Sequence, residues 1–271
     1  MEIPPFHFRI LILVIFWGVS SRSQDHDSSI LLSKRSKWSV TNAHSHNDYQ
    51  QIHPFTTAYQ AQFGSMEADI LLFHDSLFVG HRELDIQNRR LFTSLYLDSI
   101  RFYLKMHAGG IFAEKNRTLQ LLIDIKTDAE PTLDALIHEL EKYPDLINST
   151  AVSFVITGNR PSPEKWSSYP RFIWFDGNAG IKYDSAILRK IVMISGNFAS
   201  FSSWKGNGNP DTAVINQLSK IIIEAHDQGK KIRFWNAPDN PQSWQLLISL
   251  GVDWINTDHI QALAGFLGLQ Q

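Results

Sequence analysis

The sequence predicts a single (β/α)8 barrel, on three observations. Eight short apolar or β-branched runs alternate with amphipathic helical patterns, the order that parallel βαβ units require. They fit within about 250 residues, the size at which eight such units close into a barrel. No glycine-rich phosphate or dinucleotide loop follows any of the strands, which counts against the doubly wound open sheet. No internal linker or low-complexity tract interrupts the series, so one domain is expected.

In chain order, the first element stands apart from the barrel. Arg9 precedes the apolar run Ile10 to Val19, and the small and polar residues "SSRSQ" follow. A positive flank, a run of about ten apolar residues and a small-residue end describe a secretory signal peptide. The run is short of the roughly 20 residues that span a bilayer. Residues 1–23 are therefore expected to be a cleaved leader and residues 24–37 a polar lead-in, with the barrel over 38–271. That reading makes the protein secreted or periplasmic, without a stable membrane span.

The strand-like runs are Trp38–Ala43, Ser65–Leu72, Leu119–Ile125, Ala151–Thr157, Arg171–Phe175, Ile191–Ser195, Lys231–Trp235 and Val252–Asn256. Three helical patterns are the clearest between them. Pro54–Phe63 puts Phe55, Ala58, Tyr59 and Phe63 on one stripe, with proline in the first turn. Pro131–Tyr143 repeats this with Leu133, Leu136, Ile137 and Leu140. Thr212–Gln228 carries Val214, Leu218, Ile221, Ile222 and Ala225, and Gly229 stops it.

Composition narrows the functions. There is no cysteine, which excludes disulfides, thiolate metal sites and a cysteine nucleophile. A net charge of −2 shows no basic excess for nucleic acid or for acidic membrane surfaces. Asn116-Arg-Thr and Asn148-Ser-Thr fit the glycosylation triplet, a pattern common by chance.

A barrel places its chemistry at the C-terminal ends of the strands, where the βα loops build the site. His44 and His46 come directly after the first predicted strand. In "SMEADILLF", Glu67 and Asp69 are two apart and share a face of the second. An acidic pair inside an apolar strand is costly to bury unless a cation or a basic partner offsets it. "LQLLIDIKTD" adds Asp124 and, two residues on, Lys126. Three carboxylates at neighbouring strand ends make a hard oxygen site suited to one divalent cation, Mg²⁺ or Ca²⁺. Lys126 is placed to reach a phosphate, or else to pair with an acidic neighbour. His81 ends the run "SLFVGH". Two histidines, a cation and a lysine suit phosphodiester cleavage, in which one imidazole takes a proton and the other gives one.

The order of these motifs resembles that of the phospholipase C-like phosphodiesterase superfamily, which includes glycerophosphodiester phosphodiesterases and sphingomyelinase D enzymes. The corresponding stretches are "AHSHND", "SMEADI", "FVGH", "LLIDIK", "IRFWNAP" and the closing "LGVDWINTDH", over about residues 38 to 262. More narrowly, "HSHNDY", "EADI", "LFVGH" and "LFTSLYLDSI" are similar to the branch named for altered inheritance of mitochondria. The resemblance implies a (β/α)8 barrel with a Mg²⁺-like ion, and a small-molecule or lipid-derived phosphodiester as substrate. It implies Glu67, Asp69 and Asp124 as metal ligands, His81 as the second catalytic histidine, Lys126 as the basic residue and Trp235 as a late aromatic wall. A cyclic-phosphate product is also implied. His44, three before Asn47 as in the sphingomyelinase D pattern, is the favoured first histidine, with His46 as a support or a rival. The sequence departs from the glycerophosphodiesterases in one respect. Their first histidine is followed by an arginine that contacts phosphate, and neither His44 nor His46 is.

Two other classes remain open on the residues alone. Histidines two apart after a first barrel strand also serve zinc-dependent amidohydrolase-type enzymes, although the later histidines here fall in helical or loop contexts. A barrel that binds a phosphorylated or carbohydrate ligand without turnover is the other. Assays on bis(p-nitrophenyl) phosphate after chelation separate the three. Recovery of activity with Mg²⁺ or Ca²⁺ is expected. Recovery with Zn²⁺ alone would favour the histidine-pair hydrolase, and no activity with any of these ions would favour the binding protein.

Overall fold

The computed structural model of the protein describes Met1 and residues 38–268. The expected leader over residues 1–23 and lead-in over 24–37 lie outside the described residues. From Trp38 onward the chain forms one compact unit.

The unit is a barrel of eight parallel strands with one antiparallel addition. In chain order the strands are β1 Ala43–Ser45, β2 Ser65–Phe73, β3 Ser76–Val79, β4 Leu119–Ile125, β5 Val152–Gly158, β6 Ile173–Asn178, β7 Ile191–Asn197, β8 Lys231–Trp235 and β9 Ile255–Thr257. They pair in the order β8-β7-β6-β5-β4-β2-β1-β9, with β3 folded back on β2. The two ends of that series meet. Arg233 bridges Trp254 in parallel, and the Asp253 and Trp254 amides donate to the Ile232 carbonyl at 3.1 and 3.2 Å. The ring is therefore closed, as the alternating pattern predicted.

Most of the strands form close to where predicted because they are buried on both faces, which favours continuous apolar runs. In β4, six of the seven residues are buried and Asp124 is intermediate. The helices Ala129–Glu141 and Thr212–Asp227 bury the stripes read from the sequence, Leu133, Leu136 and Leu140 in one and Leu218, Ile221, Ile222 and Ala225 in the other. Pro241–Leu250 and Ile260–Gly268 complete the outer layer near the closure. A small second core of Leu122, Val155, Met193 and Trp254 is separate from the main one. These residues come from four strands or strand ends around the ring and plug the lumen below the polar layer. Among the described residues, no helix is long and apolar enough to cross a membrane.

Three local expectations are corrected. The first strand is shorter and later than Trp38–Ala43, because Val40–Asn42 forms a 3-10 turn. Ser39 caps that turn by accepting from the Thr41 amide, and Asn42 accepts back from the Ser39 amide. His44 thus lies inside the strand. The helix expected over Pro54–Phe63 shrinks to Thr56–Gln60, because Phe55 takes φ 62° and ψ −55°. The Thr56 amide donates to the Pro54 carbonyl at 2.6 Å across it, which makes a γ-turn, a strained conformation for a bulky residue. The third difference is the β2–β3 hairpin. β2 runs one residue further than expected and reverses through His74, at φ 52°, and Asp75, so that His81 returns towards the end of its own sheet.

Asp48 holds the γ-turn. Its carboxylate is fully buried and accepts from the Phe55 amide at 2.6 Å, the Tyr96 hydroxyl at 2.9 Å and the Ser45 hydroxyl at 2.9 Å. Burial pushes its pKa up to about 6, against the pull of those three donors. Asp48→Ala would strand all three in the core and release the turn. We expect it to cost about 2–4 kcal/mol and to lower Tm by roughly 4–16 °C in thermal unfolding. Asp75→Ala, in the exposed hairpin tip, is expected to leave Tm unchanged.

Candidate active site

Side chains two apart on a strand share a face, and in a closed barrel one face of every strand looks into the lumen. The resulting upper layer is polar on almost every strand. His46 follows β1, Glu67 and Asp69 lie on β2, Asp124 on β4, Asp176 on β6, Ser195 on β7, Arg233 on β8 and Asn256 on β9. Most of these line one cavity of ≈ 1240 Å³ at the C-terminal strand ends.

The three predicted acidic residues come together. One ligand atom from each of Glu67, Asp69 and Asp124 can be chosen so that all lie within 4.8 Å of one another. Asp69 and Asp124 are direct cross-strand partners, which explains why they meet. Lys126 Nζ lies 2.9 Å from Asp124 Oδ2 and 3.2 Å from Asp69 Oδ2. The other oxygens, Asp69 Oδ1 and Asp124 Oδ1, are buried without a partner. Glu67 repeats the arrangement, with Oε2 held by Arg233 at 2.8 Å and Oε1 3.8 Å from His46 Nε2. Asp69 and Asp124 thus each have one oxygen engaged by protein and another left over. One carboxylate oxygen from each of the three residues, all within 4.8 Å of one another, fits a cation bound at about 2.3–2.6 Å.

The electrostatics follow from this crowding. Burial, and then the charges of Glu67 and Asp124, push Asp69 up to about 6 against Lys126 and His81. Burial and Glu67 raise Asp124 as well, while the two aspartates raise Lys126 despite its own burial. Glu67 moves the other way. Burial would raise it, but its contact with His44 and the charge of Arg233 hold it well below the usual carboxylate range.

The two histidines of "HSH" separate cleanly. His44 is fully buried, with Nδ1 2.7 Å from Ser65 Oγ and Nε2 accepting from Arg233 Nη1 at 2.7 Å. Burial and the guanidinium hold its pKa at about 4, so it is a neutral ring with Nδ1–H donating to Ser65. Arg233 is the permanent positive charge among the groups that hold Glu67 ionised. Both ring nitrogens of His44 are occupied, so the pair does not form a two-imidazole metal site. His46 instead lines the cavity, and its Nδ1 donates to Asp258 Oδ1 at 2.7 Å. Burial acts to lower its pKa, but the Asp258 bond and the charge of Glu67 outweigh it and the net shift is upward. Asn47, at φ 48°, also donates to Asp258 Oδ1, at 3.1 Å.

His81 is on the opposite rim. Its Nδ1 is 2.7 Å from Asp69 Oδ2, and its loop is fixed because Asp85 Oδ2 accepts from the His81 and Arg82 amides. Trp235 is 39 % exposed on the cavity wall and is not core. Three functional positions escaped the sequence reading: Arg233, Asp258 and Asp176. Arg233 is 3 % exposed and ties Glu67, His44, Asn256 and Ser195 together. The signal for it was present, since an arginine two residues before Trp235 shares that tryptophan's face of an otherwise apolar strand.

Comparisons with known proteins agree with this geometry. Residues 35–161 match the AIM6-like phosphodiesterase domain, and residues 231–261 match the glycerophosphoryl diester phosphodiesterase family. These matches support the phospholipase C-like phosphodiesterase superfamily for this chain. Within that superfamily it lies near the altered-inheritance-of-mitochondria branch. It is 28% identical over 259 residues to the altered inheritance of mitochondria protein 6 homolog of Arthroderma benhamiae, covering 82% of each chain. It is 26% identical over 278 residues to altered inheritance of mitochondria protein 6 of Eremothecium gossypii, covering 84% of this chain and 69% of that one. A glycerophosphodiester phosphodiesterase crystal structure from Parabacteroides distasonis superposes with a TM-score of 0.52 at 16% identity, over 86% of this chain and 96% of that one. That likeness confirms the barrel. At the level of the family, the class is phosphoric diester hydrolase.

Gly158 explains how Asp124 is seated. It ends β5 at φ +71°, and a Cβ there would stand 1.9 Å from Asp124 Oδ1 and 2.6 Å from the Ile125 carbonyl. Gly158→Ala is expected to push the Asp124 carboxylate aside at a cost of about 1–3 kcal/mol. Millimolar Mg²⁺ or Ca²⁺ is expected to raise the Tm of the wild type and to raise that of the variant less. An undiminished cation-induced rise in the variant would show that Asp124 takes no part in holding the ion.

Proposed function

We propose that the protein is an exported, metal-dependent phosphodiesterase that cleaves a small-molecule or lipid-derived phosphodiester. The observation that carries this reading is the cluster of carboxylate oxygens from Glu67, Asp69 and Asp124 within 4.8 Å of one another, flanked by two histidines held alike. His46 and His81 each have Nδ1 fixed by a carboxylate, Asp258 and Asp69 respectively, at 2.7 Å. That bond sets the tautomer and leaves each Nε2 as the working nitrogen. One imidazole takes the proton of the attacking hydroxyl and the other gives one to the leaving oxygen.

Glu67, Asp69 and Asp124 would hold a divalent cation, which supplies neutralisation of charge developing on the phosphoryl oxygens. Mg²⁺ is the proposed ion and Ca²⁺ the alternative. Lys126, between Asp69 and Asp124, lies beside the same phosphoryl group, and Trp235 walls the alcohol side. His46 is the first-strand histidine that moves the proton in this proposal, because His44 has no free nitrogen and no access to the cavity. His44 instead positions Arg233 beneath Glu67. Export rests on the leader pattern in residues 9–24.

Tests of this reading divide the roles. Glu67→Gln is expected to abolish metal-dependent turnover with the fold intact by circular dichroism. His46→Ala should lower kcat by about 10²–10⁴-fold, the range of a lost acid–base group. Full activity in either variant would place the chemistry elsewhere. Asp258→Asn removes the largest influence that raises His46. The ionisation belonging to His46 in the kcat/KM–pH profile should therefore move to lower pH, and an unmoved profile would detach Asp258 from the reaction.

A further inference from the structure

Five cationic side chains other than histidine line the main cavity: Arg82, Arg90, Lys126, Arg160 and Arg233. Most have an evident occupation. Lys126 and Arg233 are paired with the carboxylates below them, and Arg90 Nη2 donates to the Tyr49 carbonyl at 2.7 Å. Arg160 differs. Its Nη2 donates to Asn178 Oδ1 at 2.8 Å, and its guanidinium carbon stands 5.9 Å from the centre of the Trp166 ring. Its Nη1 is buried with no partner, and among the described residues no carboxylate oxygen lies within 4.0 Å of it.

A buried cationic N–H without an acceptor is costly, and native proteins rarely leave one. The head group is fixed and not adrift. Asn178 holds one edge, Trp166 lies beside it, and the Asn178 amide is bonded to the Tyr183 hydroxyl at 2.8 Å. An arginine held this way offers a planar fork that suits a carboxylate or phosphate oxyanion. Its position separates it from the reacting phosphorus. Lys126 follows Ile125, which is paired with Gly158, the last residue of β5, and Arg160 comes two residues beyond Gly158 in the loop after that strand. Adjacent strands are about 4.8 Å apart, so an anion on Arg160 sits past the end of the strand next to the one that Lys126 follows. The cavity has the room, since pockets of about 300–1,000 Å³ already enclose drug-sized ligands.

We infer that Arg160 and Asn178 form a subsite for a second anionic group, a carboxylate or phosphomonoester carried on the alcohol portion of the substrate beside the scissile diester. This rests on the phosphodiesterase reading for its substrate class. The subsite itself is tested by binding alone.

Two matched ligand pairs differ only in the added anion: glycerophosphoserine against glycerophosphoethanolamine, and glycerophosphoinositol 4-phosphate against glycerophosphoinositol. Calorimetry on the full chain in the Glu67→Gln background avoids turnover. The anionic member of at least one pair should bind about tenfold or more tightly. Arg160→Gln should bring that ratio close to one, and Arg160→Lys should restore part of it. Ratios near one for both pairs in the parent overturn the inference. So does an Arg160→Gln variant, folded by circular dichroism, that weakens both members of a pair equally, because Arg160 would then serve the common diester. If the ratio stands but the wild type cleaves none of the four ligands with Mg²⁺, Ca²⁺ or Zn²⁺, the phosphodiesterase reading fails and the subsite survives.

Discussion

Everything at the upper end of this barrel depends on how Glu67 is kept ionised inside a closed ring of strands. A carboxylate 3 % exposed is a heavy electrostatic load, and Asp69 and Asp124 beside it add to that load. Arg233 answers it from across the lumen. β8 lies far from β2 along the sheet path, but ring closure lets the guanidinium reach Glu67 Oε2 at 2.8 Å. The ion pair is therefore a product of closure, and an open sheet with these strands would leave both charges unpaired. Removing either partner of such a buried pair strands the other, which is where its cost lies.

The same pair sets up the asymmetry of the two first-strand histidines. His44 accepts from the Nη1 that also serves Glu67, so its ring is locked neutral and held on its other side by Ser65. It works as part of the floor. His46, one residue past the strand, is left to the cavity and to Asp258. The loops around them are tied down by further carboxylates, Asp48 and Asp239. Asp48 fixes the γ-turn at Phe55. Asp239 accepts from the Thr257 hydroxyl, the Asp258 amide and the Trp244 indole, and so aims the Asp258 side chain. The cavity is bordered by flexible-looking polar sequence, yet its working groups rest on groups packed beneath them.

How much of this was legible in the sequence depended on whether a feature was local. Glu67, Asp69, Asp124 and Lys126 could be read because an acidic residue every second position in an apolar strand has few explanations. The barrel could be read because alternating elements of this number close in one way. Between His44 and His46 only the family pattern gave a preference, for His44; their local sequence did not, since both are two-apart positions of one face, and their difference lies in a 3-10 turn that shifts the strand by several residues. The β2–β3 hairpin was hidden in an apolar run that looked like loop. Arg233 was overlooked because attention went to Trp235, although the rule that singled out Glu67 applied to it equally. Asp258 stood in the closing "LGVDWINTDH" stretch with no role attached. Its partner is 212 positions away in the chain, a relation that no local pattern encodes.

The missing arginine of the first strand takes a different meaning in this setting. In glycerophosphodiesterase-type sequences that residue stands beside the phosphate, as the resemblance implies. Here the cation nearest the first histidine comes from β8 and stands underneath, spending its donors on Glu67, His44, Asn256 and Ser195. A guanidinium so fully occupied cannot also serve a substrate oxygen without releasing the groups it organises. That charge is thus held below the cavity, in support of Glu67. Among the cationic groups lining the cavity, Lys126 and Arg160 follow the neighbouring strands β4 and β5, so positive charge not spent on the floor lies towards that side.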